Sequence, residues 1–344
     1  MPISSNSSFR FIFFPYLKDF IHPNFLFSCC YGCILTAKIL IFIGKLLNRG
    51  SVLPGSVALK IDKNILGKLK MPKTVISVTG SSGKGSTCNL IVDIARNQGK
   101  TVVFNDKGSN LITGILTTLL SACNLKGELK QDILVTEIDE RYTKLLFKYL
   151  KPNYVVITNI TRDQPPRHGN YEIVYEEIKK ALTKDMHLVL NADDPYTQKF
   201  ILNAQNKYTL FGIGTNKYTY NDEKFENLNI KYCPKCNSKL LYTYYHCETL
   251  GNYYCPNCDF KRKKPLMEVT KLDYEKNLVI VNDEYKFNIP FNTLFEVYNT
   301  LAGFTISSLI GLNLDEACNT ISKIPVNLKI FNKYTFDNRI VYVL

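Results

Sequence analysis

Acidic residues are scarce in this chain of 344 residues. There are 30 Asp and Glu against 43 Lys and Arg, which gives a formal net charge of +13 at pH 7. The excess is confined to two stretches, because residues 1–70 carry +7 and residues 231–265 carry +5, which leaves about +1 for the rest. A strongly basic chain is a candidate for nucleic-acid binding. The nearly neutral core argues against that function, and we expect no nucleic-acid partner.

The chain also lacks a small-residue cleavage site after an apolar segment, which a secretory signal peptide would have. The eleven cysteines are therefore poorly explained as the disulfides of a secreted protein. Seven of them are scattered among apolar residues, as reduced cysteines are, and four are paired in a metal-type spacing. We expect a cytoplasmic protein whose cysteines are reduced.

Residues 74–87, TVISVTGSSGKGST, lack one part of the P-loop pattern. The spacing G-x-x-G-K is shorter than the full pattern, and Gly85 stands where a metal-binding hydroxyl would follow the lysine. The remainder is typical of a phosphate-binding loop between a strand and a helix. Gly80 and Gly83 permit a tight turn that points N–H groups inward, and the following helix adds its positive dipole end. Lys84 supplies a full charge for the outer phosphates.

We predict that this loop binds the phosphates of ATP. Ser86 or Thr87 would hold magnesium, because Gly85 has no hydroxyl to offer. The predicted ATP-binding residues of the loop are Gly80, Ser81, Ser82, Gly83, Lys84, Gly85, Ser86 and Thr87.

Apolar segments with strand character alternate with helical segments beyond this loop. Strands are expected at residues 101–104, 133–138, 154–160, 187–192 and 208–211, and helices at 87–97, 112–121, 142–150, 171–182 and 196–204. Strands that are apolar throughout and separated by helices predict the α/β class, with a doubly wound parallel sheet covered on both faces. In such sheets, ligands bind beyond the carboxyl ends of the strands.

Polar residues at these strand ends are candidates for the functional site. We predict that Glu137, in TEIDE, binds magnesium and acts in catalysis together with Lys84, because a strand-end carboxylate can reach a metal carried by the nucleotide. Helix capping is the simpler interpretation of Asp139 and Asp194. The other polar residues that follow strands are Asn159, Arg162, Asp163, Asn191 and Asp193.

The four paired cysteines lie in CPKC and CPNC, separated by eighteen residues. This spacing predicts a zinc ribbon inserted at residues 231–264, with short strands at 242–245 and 253–254. Two disulfides are the alternative. A ribbon of this kind either braces a segment too small for its own core or contacts nucleic acid, and both uses stay open. His246 and Cys247 are off the pattern and are not expected to be ligands. The predicted ligands are Cys233, Cys236, Cys255 and Cys258.

We predict four units along the chain. Residues 1–33 are an uncertain apolar extension, 34–70 a helical segment, 71–325 the ATP-binding domain, and 326–344 the start of a C-terminal domain that is cut short. Residues 268–289 should form alternating strands, 294–312 and 314–324 helices, and 331–344 a strand pair.

An apolar run at residues 25–44 is about as long as a bilayer-spanning helix. It leaves three alternatives open. The run either spans a membrane, lies on the membrane surface as part of a basic amphipathic helix that continues to Arg49 and stops at Gly50, or packs on the next domain.

Taken together, these motifs resemble the Mur ligase family from about residue 34 onward, and within it the MurT type of subunit. VTGSSGKGST is similar to the family's ATP loop, and TEIDE supplies Glu137, which in the family holds magnesium. NDKGSNLITGI and TNITRDQ are similar to two further loops of the family. VYNTLAG carries Asn299, similar to an asparagine that contacts adenine. The four-cysteine ribbon inside the ATP-binding domain is a feature of the MurT type.

The resemblance implies a subunit of a lipid II isoglutaminyl synthase, with Mg²⁺ and Zn²⁺ as cofactors. ATP would activate the α-carboxylate of D-glutamate in the stem peptide of membrane-bound lipid II as an acyl phosphate, and ammonia would displace the phosphate. A GatD-type glutaminase partner would supply the ammonia, at the inner face of the membrane. Because most of the family's C-terminal domain is missing, we expect this chain to bind ATP without making D-isoglutamine.

Two departures from the family pattern leave alternatives open. Gly85 is typical of folylpolyglutamate synthases, where GKGS is usual, so a ligase of that kind is one alternative, although it does not explain the ribbon. Pro165 and Pro166 replace the leucine-aspartate expected of the MurT type, which affects the substrate role of that loop. A zinc-ribbon ATPase that binds nucleic acid is an alternative from a different class.

Overall fold

The computed structural model describes residues 23–47, 52–106, 110–161, 171–202, 204–223, 231–289, 293–324, 332–336 and 339–343. The helices in these ranges are α1 (Pro23–Leu46), α2 (Leu53–Ile61), α3 (Ile65–Lys68), α4 (Lys84–Asn97), α5 (Ile112–Ala122), α6 (Thr143–Leu150), α7 (Tyr171–Ala181), α8 (Pro195–Lys199), α9 (Leu294–Leu309) and α10 (Leu314–Ser322). The strands are β1 (Thr74–Thr79), β2 (Val102–Phe104), β3 (Ile133–Glu137), β4 (Tyr154–Ile157), β5 (His187–Asn191), β6 (Tyr208–Ile213), β7 (Leu241–Cys247), β8 (Leu250–Tyr254), β9 (Met267–Asp273), β10 (Leu278–Val281), β11 (Tyr285–Asn288), β12 (Asn332–Phe336) and β13 (Arg339–Val343).

Nine of these strands form one sheet in the order β11-β10-β9-β6-β5-β4-β1-β3-β2. Every neighbouring pair from β2 to β9 is parallel, whereas β10 pairs antiparallel with both β9 and β11. The predicted doubly wound parallel sheet is therefore confirmed, and it is larger than expected. The alternating strands predicted at residues 268–289 are β9 to β11, and they extend the main sheet.

Helices cover both faces of this sheet. Side chains alternate between the two sides of a strand, so neighbouring apolar residues of one strand contact different helix layers. Val75 and Leu134 face one side, where they join a buried cluster with α1, α2, α3, α5, α6 and α7. Ile76 and Val135 face the other side, where α4, α9 and α10 pack. The carboxyl ends of β1 and β4 meet at the phosphate loop, because the loop follows β1 and bonds to the two residues after β4.

The middle of α1 packs on the rest of the protein. Cys33, Ile34 and Ala37 are buried against α2 and α5, and Lys38 donates to the carbonyl of Ser121 over 3.3 Å. The face of α1 that carries these three buried residues therefore packs on the next domain, which is one of the three alternatives. Among the helices that the structure describes, none is both long and apolar enough to cross a membrane. The predicted end of this helix falls at residues 48–50, which are outside the described ranges.

Several boundaries differ from prediction. α8 ends at Lys199 and does not extend to residue 204. α9 ends at Leu309, because Gly311 adopts a left-handed conformation with φ of 73° just beyond it. β4 ends at Ile157 because the next two side chains bond to the phosphate loop. β12 and β13 form the predicted strand pair. The boundaries of the four units remain predictions.

Candidate nucleotide site and four-cysteine cluster

The loop between β1 and α4 is held in the strained turn that its glycines permit. Gly80 and Gly83 have φ of 126° and 77°, values that side chains rarely tolerate. A Cβ atom on Gly80 would lie 2.4 Å from Oγ1 of Thr158, and one on Gly83 would lie 2.1 Å from Oδ1 of Asn299. Both glycines are therefore required by close approach as well as by conformation. Asn299, predicted from the family resemblance, is placed beside the phosphate loop.

The residues that follow β4 form hydrogen bonds with the same loop. The backbone N–H of Ser81 donates to the carbonyl oxygen of Asn159 over 3.0 Å. The backbone N–H of Ser82 donates to Oδ1 of the same residue over 3.1 Å. The hydroxyl of Thr158 donates to the carbonyl of Ser82 over 2.6 Å. Asn159 was a strand-end candidate without an assigned role, and Thr158 was missed, although both belong to the TNITRDQ motif. Residues 162–166, including Arg162, Asp163 and the two prolines, lie outside the described residues.

Lys84 lies over the loop and is largely shielded from solvent. Its Nζ donates to the carbonyl of Gly80 over 2.6 Å and to that of Ser81 over 3.4 Å. It also lies 3.5 Å from Oε2 of Glu140, and the two side chains are only 13% and 8% exposed. Sequence reasoning missed Glu140, whose only signal was its place at the end of TEIDE. A cation held at the mouth of a phosphate loop is positioned to neutralise phosphate charge.

Glu137 ends β3 directly across from the first turn of α4. A Cβ atom on Gly85 would lie 3.3 Å from Oε2 of Glu137, so the glycine leaves this carboxylate free of a facing side chain. Asn105 receives the N–H of Glu137 over 2.8 Å and donates to its carbonyl over 2.9 Å. Asn110 lies 3.5 Å from Oε1. One asparagine therefore holds the backbone of the predicted metal ligand, and a second lies at the limit of hydrogen-bond distance from its carboxylate.

The two hydroxyls predicted to bind magnesium differ in access. Ser86 is exposed on the first turn of α4. Thr87 is fully buried, and its Oγ1 has no hydrogen-bond partner within the described part of the chain. Magnesium is usually held by one or two carboxylates, by phosphates and by water. The exposed hydroxyl and the Glu137 carboxylate fit that donor set, so Ser86 is the better candidate of the two.

Asp139 and Asp194 act as helix caps, as the simpler interpretation predicted, and not as ligands of the functional site. Asp139 receives the N–H of Arg141 over 3.1 Å, and its carboxylate also pairs with the guanidinium of that residue. Asp194 receives the N–H of Tyr196 over 2.8 Å at the start of α8. Burial raises the pKa of Asp194 to about 7. Neither carboxylate is free for a metal.

The four predicted cysteine ligands converge within the ribbon. Their sulfur atoms all lie within 4.8 Å of one another, with 3.5 Å between Cys233 and Cys258 and 3.4 Å between Cys236 and Cys255. A tetrahedral zinc site with Zn–S bonds of about 2.3 Å requires S–S separations of about 3.8 Å, whereas a disulfide requires about 2.0 Å. All four are free cysteines. The arrangement fits zinc and does not contain the two alternative disulfides.

A buried ion pair attaches the ribbon to the main sheet. Asp193, which follows β5 and is fully buried, receives hydrogen bonds from Nε of Arg262 over 2.6 Å, the N–H of Ile213 over 2.7 Å and the hydroxyl of Tyr298 over 2.9 Å. Arg262 belongs to the basic end of the ribbon and also bonds to Glu268. Asp193 was named from its strand-end position, but its partner could not be foreseen because it comes from a distant segment.

His246 is part of the same junction and not of the cysteine cluster. Its Nε2 lies 2.8 Å from the carbonyl of Ile213 and 4.0 Å from Oδ2 of Asp193. Burial lowers the pKa of His246 below its usual range. Its place between ribbon and sheet agrees with the expectation that it is not a zinc ligand.

Replacing Arg262 by methionine should destabilise the protein strongly. The Asp193 carboxylate would remain buried without its cation, a change that typically costs about 3–5 kcal/mol. Urea unfolding measures this loss of free energy of unfolding. The matched control is Lys217→Met, which breaks an exposed pair with Asp273 and should change the free energy of unfolding little, because exposed ion pairs contribute little to stability. The double change Arg262→Met with Asp193→Asn should recover part of the loss. An effect of Arg262→Met no larger than the control would show that the pair does not anchor the ribbon.

The fold and the phosphate loop define the class of this protein. The sequence profile of the Mur ligase middle domain matches residues 78–307, which is more than half of the chain, so the chain belongs to the Mur ligase family. It resembles the pseudomurein peptide ligase type C from Methanothermus fervidus with a TM-score of 0.63 at 25% identity, over 76% of this chain and 51% of that one. MurF from Acinetobacter baumannii shares the fold at a TM-score of 0.52 and 14% identity, over 84% of this chain and 53% of that one.

Within the family, the chain is similar to MurT subunits of lipid II isoglutaminyl synthase (glutamine-hydrolysing). It is 31% identical to the subunit from Staphylococcus aureus (strain COL) over 84% of this chain and 63% of the relative. It is 34% identical to that from Streptococcus pneumoniae (strain ATCC BAA-255 / R6) over 78% of this chain and 60% of the relative. The chain therefore spans about three fifths of the length of these relatives.

Proposed function

We propose that this chain is the ATP-binding part of an amide ligase that amidates the α-carboxylate of D-glutamate in the stem peptide of lipid II. The observation that carries the proposal is the combination of a Mur-type phosphate loop with a four-cysteine ribbon anchored on the same sheet. The identity to MurT subunits extends over this combination. Ordinary Mur ligases, by the resemblance set out above, have the loop without the ribbon.

The chemistry required is phosphoryl transfer followed by acyl transfer. A carboxylate oxygen of the substrate attacks the γ-phosphorus of ATP, ADP leaves, and an acyl phosphate forms. Ammonia then attacks the acyl carbon, and phosphate leaves with the oxygen that came from the carboxylate. Enzymes promote such phosphoryl transfer mainly by positioning the reactants and neutralising charge.

The residues at the loop are suited to those two tasks. Lys84 and the N–H groups of the loop would stabilise charge on the transferred phosphoryl group. Ser86 and Glu137 would hold magnesium, which when bound would neutralise the phosphate oxygens of ATP. Asn105 would hold the backbone of Glu137 in place, and Asn110 would face its carboxylate. Zinc, held by the four cysteines, would serve to stabilise the ribbon and not to take part in the reaction.

The source of ammonia and the location follow from the same proposal. Ammonia would come from glutamine, hydrolysed by a GatD-type glutaminase that forms a complex with this protein. The substrate is a membrane lipid, so the reaction would take place at the cytoplasmic face of the membrane. Water competes with ammonia for an acyl phosphate, so delivery from the partner would keep the intermediate from being hydrolysed.

The full-length natural protein, incubated with lipid II, ATP, Mg²⁺, glutamine and the glutaminase, should produce lipid II in which one carboxyl group has become an amide. Mass spectrometry of the stem peptide measures this change. The Glu137→Gln variant should form at least about tenfold less product, because a neutral amide binds magnesium less well than a carboxylate.

Two results would contradict the proposal. Amidation that does not require ATP would remove the role of the phosphate loop. ATP turnover that responds to folate and glutamate and not to lipid II would instead support the folylpolyglutamate synthase alternative, to which Gly85 points.

A further inference from the structure

One apolar surface remains open on the helical side of the protein. α1 buries Cys33, Ile34 and Ala37, but the end of this helix and the start of α2 expose large apolar side chains to solvent. Phe42, Leu46 and Leu47 are 64%, 69% and 64% exposed. We call this surface the hairpin tip, and its residues are Phe42, Ile43, Leu46, Leu47, Val52 and Leu53, each at least 43% exposed.

The hairpin tip is a continuous patch and not a scatter of single residues. Residues three or four positions apart are neighbours on a helix surface, so Leu46 adjoins both Phe42 and Ile43, and Leu47 adjoins Ile43. The first residues of α2 adjoin them because α1 and α2 pack side by side. A helix that is apolar on all sides needs cover on each side, and among residues 30–46 of α1, whose side chains the structure describes, the fully buried ones lie on the inner side. Patches of this kind mark interaction surfaces.

The charge around the hairpin tip selects one type of partner. No Asp or Glu occurs between Asp19 and Asp62, whereas the same stretch holds four basic residues, Lys38, Lys45, Arg49 and Lys60. Lys45 lies within the patch and is exposed. Apolar side chains on two helices whose own charged residues are all basic suit the surface of an anionic bilayer, where the apolar groups enter the headgroup boundary and the cations meet lipid phosphates.

The start of α2, which belongs to the hairpin tip, lies at the same end of the molecule as the phosphate loop. The N–H of Gly55, near the start of α2, donates to Oγ1 of Thr117 over 2.8 Å, and Gly55 also packs against the carbonyl of Thr113. These contacts place the start of α2 beside the start of α5. α5 begins two residues after Asn110, whose side chain reaches Glu137. The start of α2 is thus level with the carboxyl ends of the strands.

We propose that the hairpin tip docks on anionic lipid bilayers, with α1 and α2 lying at the headgroup boundary without spanning it. Docking there would hold the nucleotide site close to the membrane surface. The inference rests on the apolar and basic surface itself, so it stands or fails separately from the proposed amidation.

Vesicle co-flotation tests this proposal directly. The protein is mixed with vesicles of phosphatidylglycerol and phosphatidylcholine, or of phosphatidylcholine alone, and no lipid II is present. We expect binding to the mixed vesicles that is at least tenfold stronger than to the neutral ones and that weakens at high salt. The double variant Phe42→Asp with Leu46→Asp should bind the mixed vesicles at least tenfold more weakly than the parent.

A matched control places the same charges on exposed apolar residues elsewhere. Leu145→Asp with Leu266→Asp changes two side chains that are 45% and 53% exposed and lie outside the hairpin tip, and it should bind vesicles as the parent does. Thermal melting should show that both double variants remain folded. Equal vesicle binding by the tip variant and the parent would overturn the proposal. A second result would also overturn it. If the parent does not bind vesicles but dimerises in sedimentation experiments without lipid, and the tip variant does not dimerise, then a second copy of the chain covers the patch.

Discussion

Replacing Lys84 by alanine should raise the dissociation constant for ATP by about 100-fold. The ammonium is held over the phosphate loop by the carbonyls of Gly80 and Ser81, and it is only 13% exposed. A charged hydrogen bond in such a shielded position contributes up to about 3 kcal/mol, and every 1.4 kcal/mol corresponds to about tenfold in affinity. Isothermal titration with ATP and Mg²⁺ measures the loss, and circular dichroism should show that the fold persists.

The variant also leaves the shielded carboxylate of Glu140 without its cation, which would itself repel phosphate. The double change Lys84→Ala with Glu140→Gln removes that carboxylate and separates the two effects. If the lysine binds phosphate directly, the double variant also fails to bind ATP. Lys144→Ala, which removes an exposed lysine on α6, serves as the control and should bind ATP as the parent does. Unchanged affinity in Lys84→Ala would show that Lys84 does not bind the phosphates of ATP.

Protein purified without chelator should carry one zinc per chain, and Cys255→Ser should carry almost none. Four thiolates within 4.8 Å of one another bind zinc strongly, and apparent binding free energies of structural zinc sites are about 10–16 kcal/mol. The ribbon buries only five side chains in its own core, too few to fold it without help. Elemental analysis gives the zinc content.

The structural effect of zinc loss can be followed by near-ultraviolet circular dichroism. The chain has no tryptophan, so this signal reports mainly on tyrosines, several of which stack in the ribbon, such as Tyr242 on Tyr245. Cys255→Ser should lose part of the signal and keep the far-ultraviolet spectrum of the sheet. Cys123→Ser, a buried cysteine outside the cluster, is the control and should retain zinc. A parent protein with no zinc would refute the assignment of the four ligands.

The parts of the site that sequence predicts correctly are those encoded within a short stretch. The strand, the glycine turn and the helix at residues 74–97 follow from local pattern, and so does the convergence of the four cysteines, because two knuckle turns at fixed spacing bring them together. The parallel sheet follows from the alternation of apolar strands and helices. In each of these cases, neighbours in sequence determine the structure.

The parts that sequence misses depend on contacts between distant segments. Glu140 meets Lys84 only because β1 and β3 are adjacent in the sheet, and Arg262 meets Asp193 across 69 positions of the chain. Thr158 supports the phosphate loop from another strand. Single carboxylates, hydroxyls and arginines of this kind occur throughout any chain, so residue type alone does not reveal which of them will meet.

The most direct test of the account is whether the substrate carboxylate receives the γ-phosphoryl group of ATP. Lipid II labelled with oxygen-18 in the α-carboxylate of D-glutamate is amidated by the full-length natural protein with its glutaminase, and the released phosphate is analysed by mass spectrometry. An acyl phosphate places one labelled oxygen in phosphate for each amide formed. Unlabelled phosphate, or label recovered in AMP, would contradict the account.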